Sequence, residues 1–202
     1  MEALELLSRA QREFARRLAH VRPKDMDRPT PCSDWDVARL ITHVVGADHA
    51  YTAILRGGSA QDFMRVAAET RLGDRPVDDF AASSAALLEE LGRPAELDRI
   101  VHHPIGDIPV LQLLGMRVTD WTVHGWDLAR AIGADERINP ALAEALLQRT
   151  RARGDAIYAT GYFRRGPGVA EGSSAQAQLL DLLGRDPGTV AAGERRHRRS
   201  FR

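Results

Sequence analysis

Cysteine is nearly missing from this chain: among 202 residues there is one, Cys32. Neither an intramolecular disulfide nor a cysteine-based zinc knuckle can therefore form, and any metal must be held by histidine and carboxylate. Lysine is as scarce, Lys24 being the only one among 28 basic residues. With abundant Ala, Gly and Leu, this is the composition of a GC-rich bacterial coding sequence. There is no charge excess either: 28 basic residues balance 28 acidic ones, so nothing in the overall balance calls for nucleic acid or an anionic membrane. No apolar run approaches the ~20 residues that cross a bilayer. Met1 leads directly into a charged amphipathic segment without a signal-peptide pattern, which places the protein in the cytoplasm. No internal repeat is present.

What is there reads as helix. With 44% hydrophobic residues the chain supports one well-packed domain, taken as residues 1–190, and the basic run ERRHRRSFR suits a solvated tail over 191–202. Leu4, Leu7, Phe14, Leu18 and Val21 recur at a helical period, predicting a first long helix from Glu2 to Val21. A proline-rich loop, RPKDMDRPTPCS, leads to a second helix from about Asp34 to Arg56, with Ser33 as N-cap and Gly57 and Gly58 at its end. Ser59 to Arg71 makes a short helix, and Val77 to Leu91 a third long one. RIVHHPIGDIPV has strand character around a Gly-Asp turn, an extended loop or hairpin in which His102 and His103 point to opposite sides. Pro109 opens a fourth long helix that runs to Ile132 and stops at Gly133. Asn139 and Pro140 open a fifth helix to about Tyr158, and SSAQAQLLDLLG is a short sixth. The class is all-α: a four-helix bundle with additional short helices at its C-terminal side.

The chemistry concentrates in MRVTDWTVHGWDLAR, from Met116 to Arg130. Asp120 and His124 lie four residues apart and project from one helical face, within a stripe that holds Leu113, Trp121 and Leu128. That is metal-ligand spacing, and equally the spacing of a hydrogen-bonded couple with no metal. In the second helix Leu40, His43, Ala47 and Ile54 fall within about 40° on the helical wheel, so His43 occupies a core direction while His49 points elsewhere. A core histidine bonded to a backbone carbonyl is the ordinary alternative. If the second and fourth long helices are neighbours, His43, Asp120 and His124 can converge on one divalent metal with open positions for water or substrate. Zinc suits this set, and nickel, iron or cobalt would also be accepted.

Three runs, PTPCSDWDVARLITHVVG, VTDWTVHGWDLARAIG and LLDLLGRDP, resemble in their order the metal-binding DinB-like bundles related to the N-terminal domain of mycothiol-dependent maleylpyruvate isomerase. The resemblance covers roughly Leu4 to Pro187. It implies a four-helix bundle with a divalent metal, commonly zinc, and in several members a low-molecular-weight thiol such as mycothiol as co-substrate. Motif for motif, the family's first histidine falls on His43, and its carboxylate and final histidine on Asp120 and His124. The isomerase carries Glu where this chain has Asp120, one methylene shorter.

The expected activity is a metal-dependent thiol transferase or isomerase: the metal lowers the pKa of a thiol, and the thiolate attacks an electrophilic small molecule. Arg117, about two turns before His124 and within ~20° of it on the wheel, could anchor an anionic group of substrate or thiol. Asp127 and Arg130 are candidates for supporting the ligands or for ordinary salt bridges. Cys32 reads either as a nucleophile at a helix start or as a small packing residue, and no histidine near it in sequence favours packing. Trp35, Trp121 and Trp126 read as packing residues, Trp126 on the side opposite His124. A hydrolase that activates water with the same ligands, and a non-catalytic binding bundle, are the competing functions. Oligomeric state stays open, a homodimer included.

Overall fold

The computed structural model describes residues 2–188, except 33, 94, 95 and 160. The basic run at the C-terminus lies outside the described residues. Among the described residues seven helices and one hairpin follow in order: α1 Glu2–Leu18, α2 Val37–Leu55, α3 Ala60–Glu69, α4 Pro76–Leu91, β1 Ile100–His103, β2 Gly106–Pro109, α5 Val110–Ile132, α6 Pro140–Arg153 and α7 Ala175–Leu182. Helix α1 packs on α5 and α4, and α2 on α4 and α5, which closes the four-helix bundle. The hairpin and α3 lie against α2, and α6 joins α7 beside α1. No helix among the described residues is long and apolar enough to cross a membrane.

Local chemistry sets these boundaries. Helix α2 begins at Val37 because the Asp36 side chain accepts from the Arg39 amide at 2.7 Å. The expected start near Ser33 and Asp34 came too early. Asp34 sits in the left-handed region, φ 67°, and cannot continue a right-handed turn. The segment before it is instead tied as a loop, with the Thr30 amide donating to the Trp35 carbonyl at 3.0 Å and its hydroxyl to the same oxygen at 2.9 Å. Asn139 caps α6 as expected, accepting from the Ala141 amide at 3.0 Å, but α6 stops at Arg153 before a single tight turn over Gly154–Ile157. Gly133 ends α5 at φ 71°, a conformation in which a side chain would be strained.

The interior is apolar and aromatic where α1, α4 and α5 meet. Phe14 and Phe80 meet at a tilt of 49° with ring centroids 4.7 Å apart, and Phe80 meets Trp121 edge-on at 6.0 Å, all three essentially buried. Leu113, Trp121 and Leu128 are fully buried, as the stripe on α5 required. Val77, at the start of α4, is exposed, while Ser83 and Ser84 are buried. In the hairpin His103 pairs with Gly106, so the turn is Pro104-Ile105 rather than Gly-Asp. His102 is exposed beside Asp107, and His103 faces inward between Tyr51 and Phe63, at ring distances of 5.7 and 4.9 Å.

Candidate metal centre

Helices α2 and α5 are neighbours, and they bring His43, Asp120 and His124 together. Asp120 Oδ1 lies 3.4 Å from His43 Nε2 and 3.3 Å from His124 Nε2. These separations are long for hydrogen bonds. They match the edges of a tetrahedron built on metal to ligand distances of about 2.0–2.1 Å, which are near 3.3 Å. The two imidazole rings stand edge to face at 5.1 Å. His43 is the open member, its side chain 38% exposed against 10% for His124.

Behind these three groups the interior is charged and paired. Arg117 is fully buried, with its guanidinium 2.8 Å from Asp120 Oδ2 and 2.9 Å from Asp48 Oδ1, and it also donates to the Val44 carbonyl at 3.3 Å. Ser83 donates to the other Asp48 oxygen at 3.0 Å. The sequence reading of Arg117 as an anchor for an anionic substrate is corrected by this placement, because a fully buried guanidinium between two carboxylates has no face for a ligand. Its service is electrostatic. Burial opposes charge on Asp120, yet Arg117 and the flanking histidines hold its carboxyl well below the usual range. Asp120 therefore presents Oδ1 as an anion while Oδ2 is held from behind.

His124 is oriented from its other nitrogen. Nδ1 lies 3.0 Å from Asp127 Oδ2, and Asp127 is fully buried. The carboxylate that fixes the ring leaves Nε2 aimed at Asp120 and His43, the arrangement by which outer carboxylates orient metal-bound histidines. Burial works against the His124 cation, but Asp120, Asp127 and Cys32 together raise its pKa well above the ordinary value. A site that favours a positive charge on His124 between two carboxylates is one that accepts a cation in place of that proton.

Two residues complete the surroundings in ways the sequence did not reveal. Arg185, from the segment after α7, donates to Asp127 at 2.7 and 3.2 Å and reaches Cys32 Sγ at 3.1 Å. Cys32 in turn donates to Asp127 Oδ2 at 3.2 Å and lies 3.6 Å from His124 Nδ1. The absence of a nearby histidine held along the chain but not in space. Cys32, His124 and Asp127 form a second group with ligand-like spacing, but the Arg185 guanidinium already supplies the positive charge there. In the other group Arg117 holds only Asp120 Oδ2, which leaves Oδ1 toward the two histidines, and that group is open at His43. Trp35, read from sequence as packing, borders the centre, its ring 4.7 Å from His43 and 5.7 Å from His124. Trp126 stays away from it, as the wheel required, beneath the Arg130 guanidinium at 4.3 Å. Arg130 makes a salt bridge to Glu136 at 2.6 Å and bonds to the carbonyls of Asp186 and Pro187, so it binds the C-terminal segment to α5.

The fold is a helical bundle in which two histidines and one carboxylate converge from two helices, and comparison with known proteins gives its family. The model of the mycothiol maleylpyruvate isomerase N-terminal domain matches residues 7–129, and the chain belongs to that family. Two Mycobacterium tuberculosis proteins, uncharacterized protein MT0763 of strain CDC 1551 / Oshkosh and uncharacterized protein Rv0738 of strain ATCC 25618 / H37Rv, are each 35% identical over 155 residues, covering 75% of this chain and 79% of theirs. The crystal structure of mycothiol-dependent maleylpyruvate isomerase superposes with TM-score 0.57 at 18% identity. A histidine-to-alanine mutant of that enzyme gives 0.60 at 20%. Each covers 74% of this chain and 68% of the other, and at these identities the likeness establishes the fold.

Proposed function

We propose that this protein is a divalent-metal enzyme of the mycothiol-dependent isomerase and transferase type, acting on a small electrophilic molecule with a low-molecular-weight thiol as co-substrate. The observation that carries this reading is the convergence of His43 Nε2, Asp120 Oδ1 and His124 Nε2, with Asp120 Oδ1 at tetrahedral-edge separations from both histidines and the group open on the His43 side. Membership of the mycothiol maleylpyruvate isomerase N-terminal domain family supports a thiol co-substrate. Zinc fits the donor set best, with nickel or iron as alternatives. When bound, such an ion lowers the pKa of a thiol and polarises an electrophile as a Lewis acid.

The chain's own residues prepare that chemistry. Asp127 keeps the His124 proton on Nδ1, and so keeps Nε2 free as a donor atom. Arg117 balances Asp120 from behind, which holds its carboxylate ionised and limits its motion. Trp35 forms an apolar wall over both imidazoles that excludes water from one side of the site. Asp120 is shorter than glutamate and is held within 3.4 Å of both histidines, so a Glu in its place would have to fold back or move the ion.

The test is turnover of a small electrophile with and without added thiol, in the metal-loaded wild type and in His43→Ala. Thiol-dependent turnover that His43→Ala abolishes together with metal binding supports the proposal. Turnover of esters or amides without thiol identifies a hydrolase, and a metal-free protein with unchanged partner binding identifies a non-catalytic bundle.

A further inference from the structure

At the open side of the metal centre stands a cation with no carboxylate partner among the described residues. Arg39 precedes His43 by one turn of α2, so the two side chains project from the same helical face. Both reach toward solvent: Arg39 is exposed, and the His43 side chain is 38% exposed. Trp35 joins them. Its ring lies 4.7 Å from the His43 ring and 5.7 Å from the His124 ring, and the Arg39 guanidinium sits over it at 5.8 Å. The guanidinium is thereby placed at the rim of the opening through which a ligand reaches His43, Asp120 and His124.

Pairing separates Arg39 from the other cations nearby. Arg117 is held by Asp48 and Asp120, Arg185 by Asp127, and Arg130 by Glu136. Asp36 is the carboxylate nearest to Arg39 along the chain, but its Oδ1 accepts from the Arg39 main-chain amide at 2.7 Å and caps α2. No described carboxylate forms an ion pair or a hydrogen bond with the Arg39 side chain, whose one contact of note is the Trp35 ring. That contact lies near the outer limit of a cation–π interaction, about 6 Å, and is weak at an exposed position. The guanidinium fork therefore keeps its N–H donors for a ligand, and its planar geometry matches the two oxygens of a carboxylate. Arg117, buried between its two carboxylates, has no such free edge.

We propose that Arg39 receives a carboxylate of the ligand that enters the metal centre, so that the site selects small molecules carrying an anionic group beside the atom that meets the metal; this rests on the metal-dependent function proposed for the site. The test is calorimetric titration of the zinc-loaded full chain, wild type and Arg39→Gln. The probes are short mercaptoalkanoates of graded length and their amides, and oxo acids of graded length and their amides, which place the carboxylate on the thiol and on the electrophile respectively. In at least one series wild type is expected to bind the acid at least ~5-fold more tightly than the amide. Arg39→Gln is expected to lose that preference while binding the amide, and zinc, as wild type does. The series that shows the preference identifies the ligand that carries the anion. Equal binding of acid and amide by wild type, or a preference unchanged in Arg39→Gln, would overturn the assignment. So would an Arg39→Gln protein that loses zinc or unfolds earlier, since Arg39 would then belong to the scaffold. Wild type that takes up no zinc removes the metal reading and this one together, whereas zinc-loaded wild type without the preference removes this one alone.

Discussion

Asp127 is the point at which the interior of the bundle and the C-terminal segment meet, and removing its charge should be felt in both. Asp127→Asn keeps the shape but replaces an anion that accepts from His124, Cys32 and Arg185. Arg185 is 11% exposed at the side chain and Asp127 is not exposed at all, so the substitution leaves a nearly buried guanidinium without its counter-charge. Breaking a buried pair on one side costs about 3–5 kcal/mol. For a chain of this size that corresponds to a fall in melting temperature of roughly 6–20 °C. Loss of the carboxylate that orients a metal-bound histidine costs about 10–100-fold in metal affinity. Urea unfolding and zinc titration of Asp127→Asn, Arg185→Gln and the double variant measure both effects. The double variant should be at least ~1 kcal/mol more stable than the sum of the single losses requires, because neither charge is left alone in it. Single losses under ~0.5 kcal/mol, or strict additivity with unchanged zinc affinity, would refute this account of how His124 is held.

Other outcomes follow from the same geometry. Arg117→Met strands Asp48 and Asp120 without a cation and should cost about 3–5 kcal/mol by urea unfolding; a variant as stable as wild type with only a raised KM would restore Arg117 as a substrate anchor. Burial holds the His103 imidazole down to about 4, below its ordinary value. Its folded-state contribution is therefore full above pH 6.5 and lost as pH falls from 6.5 toward 4, by up to ~2–3 kcal/mol. His103→Asn keeps an acceptor near the Ile105 amide, which donates to His103 Nδ1 at 3.2 Å, and should flatten the difference in unfolding free energy between pH 7.5 and 4.5. An equal slope in wild type and variant would refute that origin. Phe14→Ala opens a cavity where α1 meets α4 and α5 and should cost about 3–5 kcal/mol by denaturant unfolding.

Much of this was legible in the residues, and the failures share a cause. Local signals served well where one element decides the outcome: Asn139-Pro140 opens α6, Gly133 ends α5, and the Asp120 and His124 spacing does put both side chains on one face. Readings failed where distant chain supplies the partner. Arg117 falls on the same wheel direction as His124, yet its role is set by Asp48, a carboxylate on α2 that no periodicity connects to it. The LLDLLGRDP run pointed to its own importance, but only the fold brings Arg185 to Cys32, 153 residues earlier. The start of α2 was misplaced because Ser33 and Asp36 offer the same capping chemistry in sequence, and only the left-handed backbone at Asp34 moves the start past it to Val37. Trp35 was read as packing because its loop gave no direction in which to point it.

We propose that His43, Asp120 and His124 hold one ion between α2 and α5. Elemental analysis of the purified protein, repeated after chelation and reloading and run beside His43→Ala, tests it most directly. One divalent ion per chain in the wild type, removed by chelator, restored by zinc and lost in His43→Ala, is the predicted result. A wild-type protein that carries no metal and fails to take up zinc, nickel or iron would contradict it.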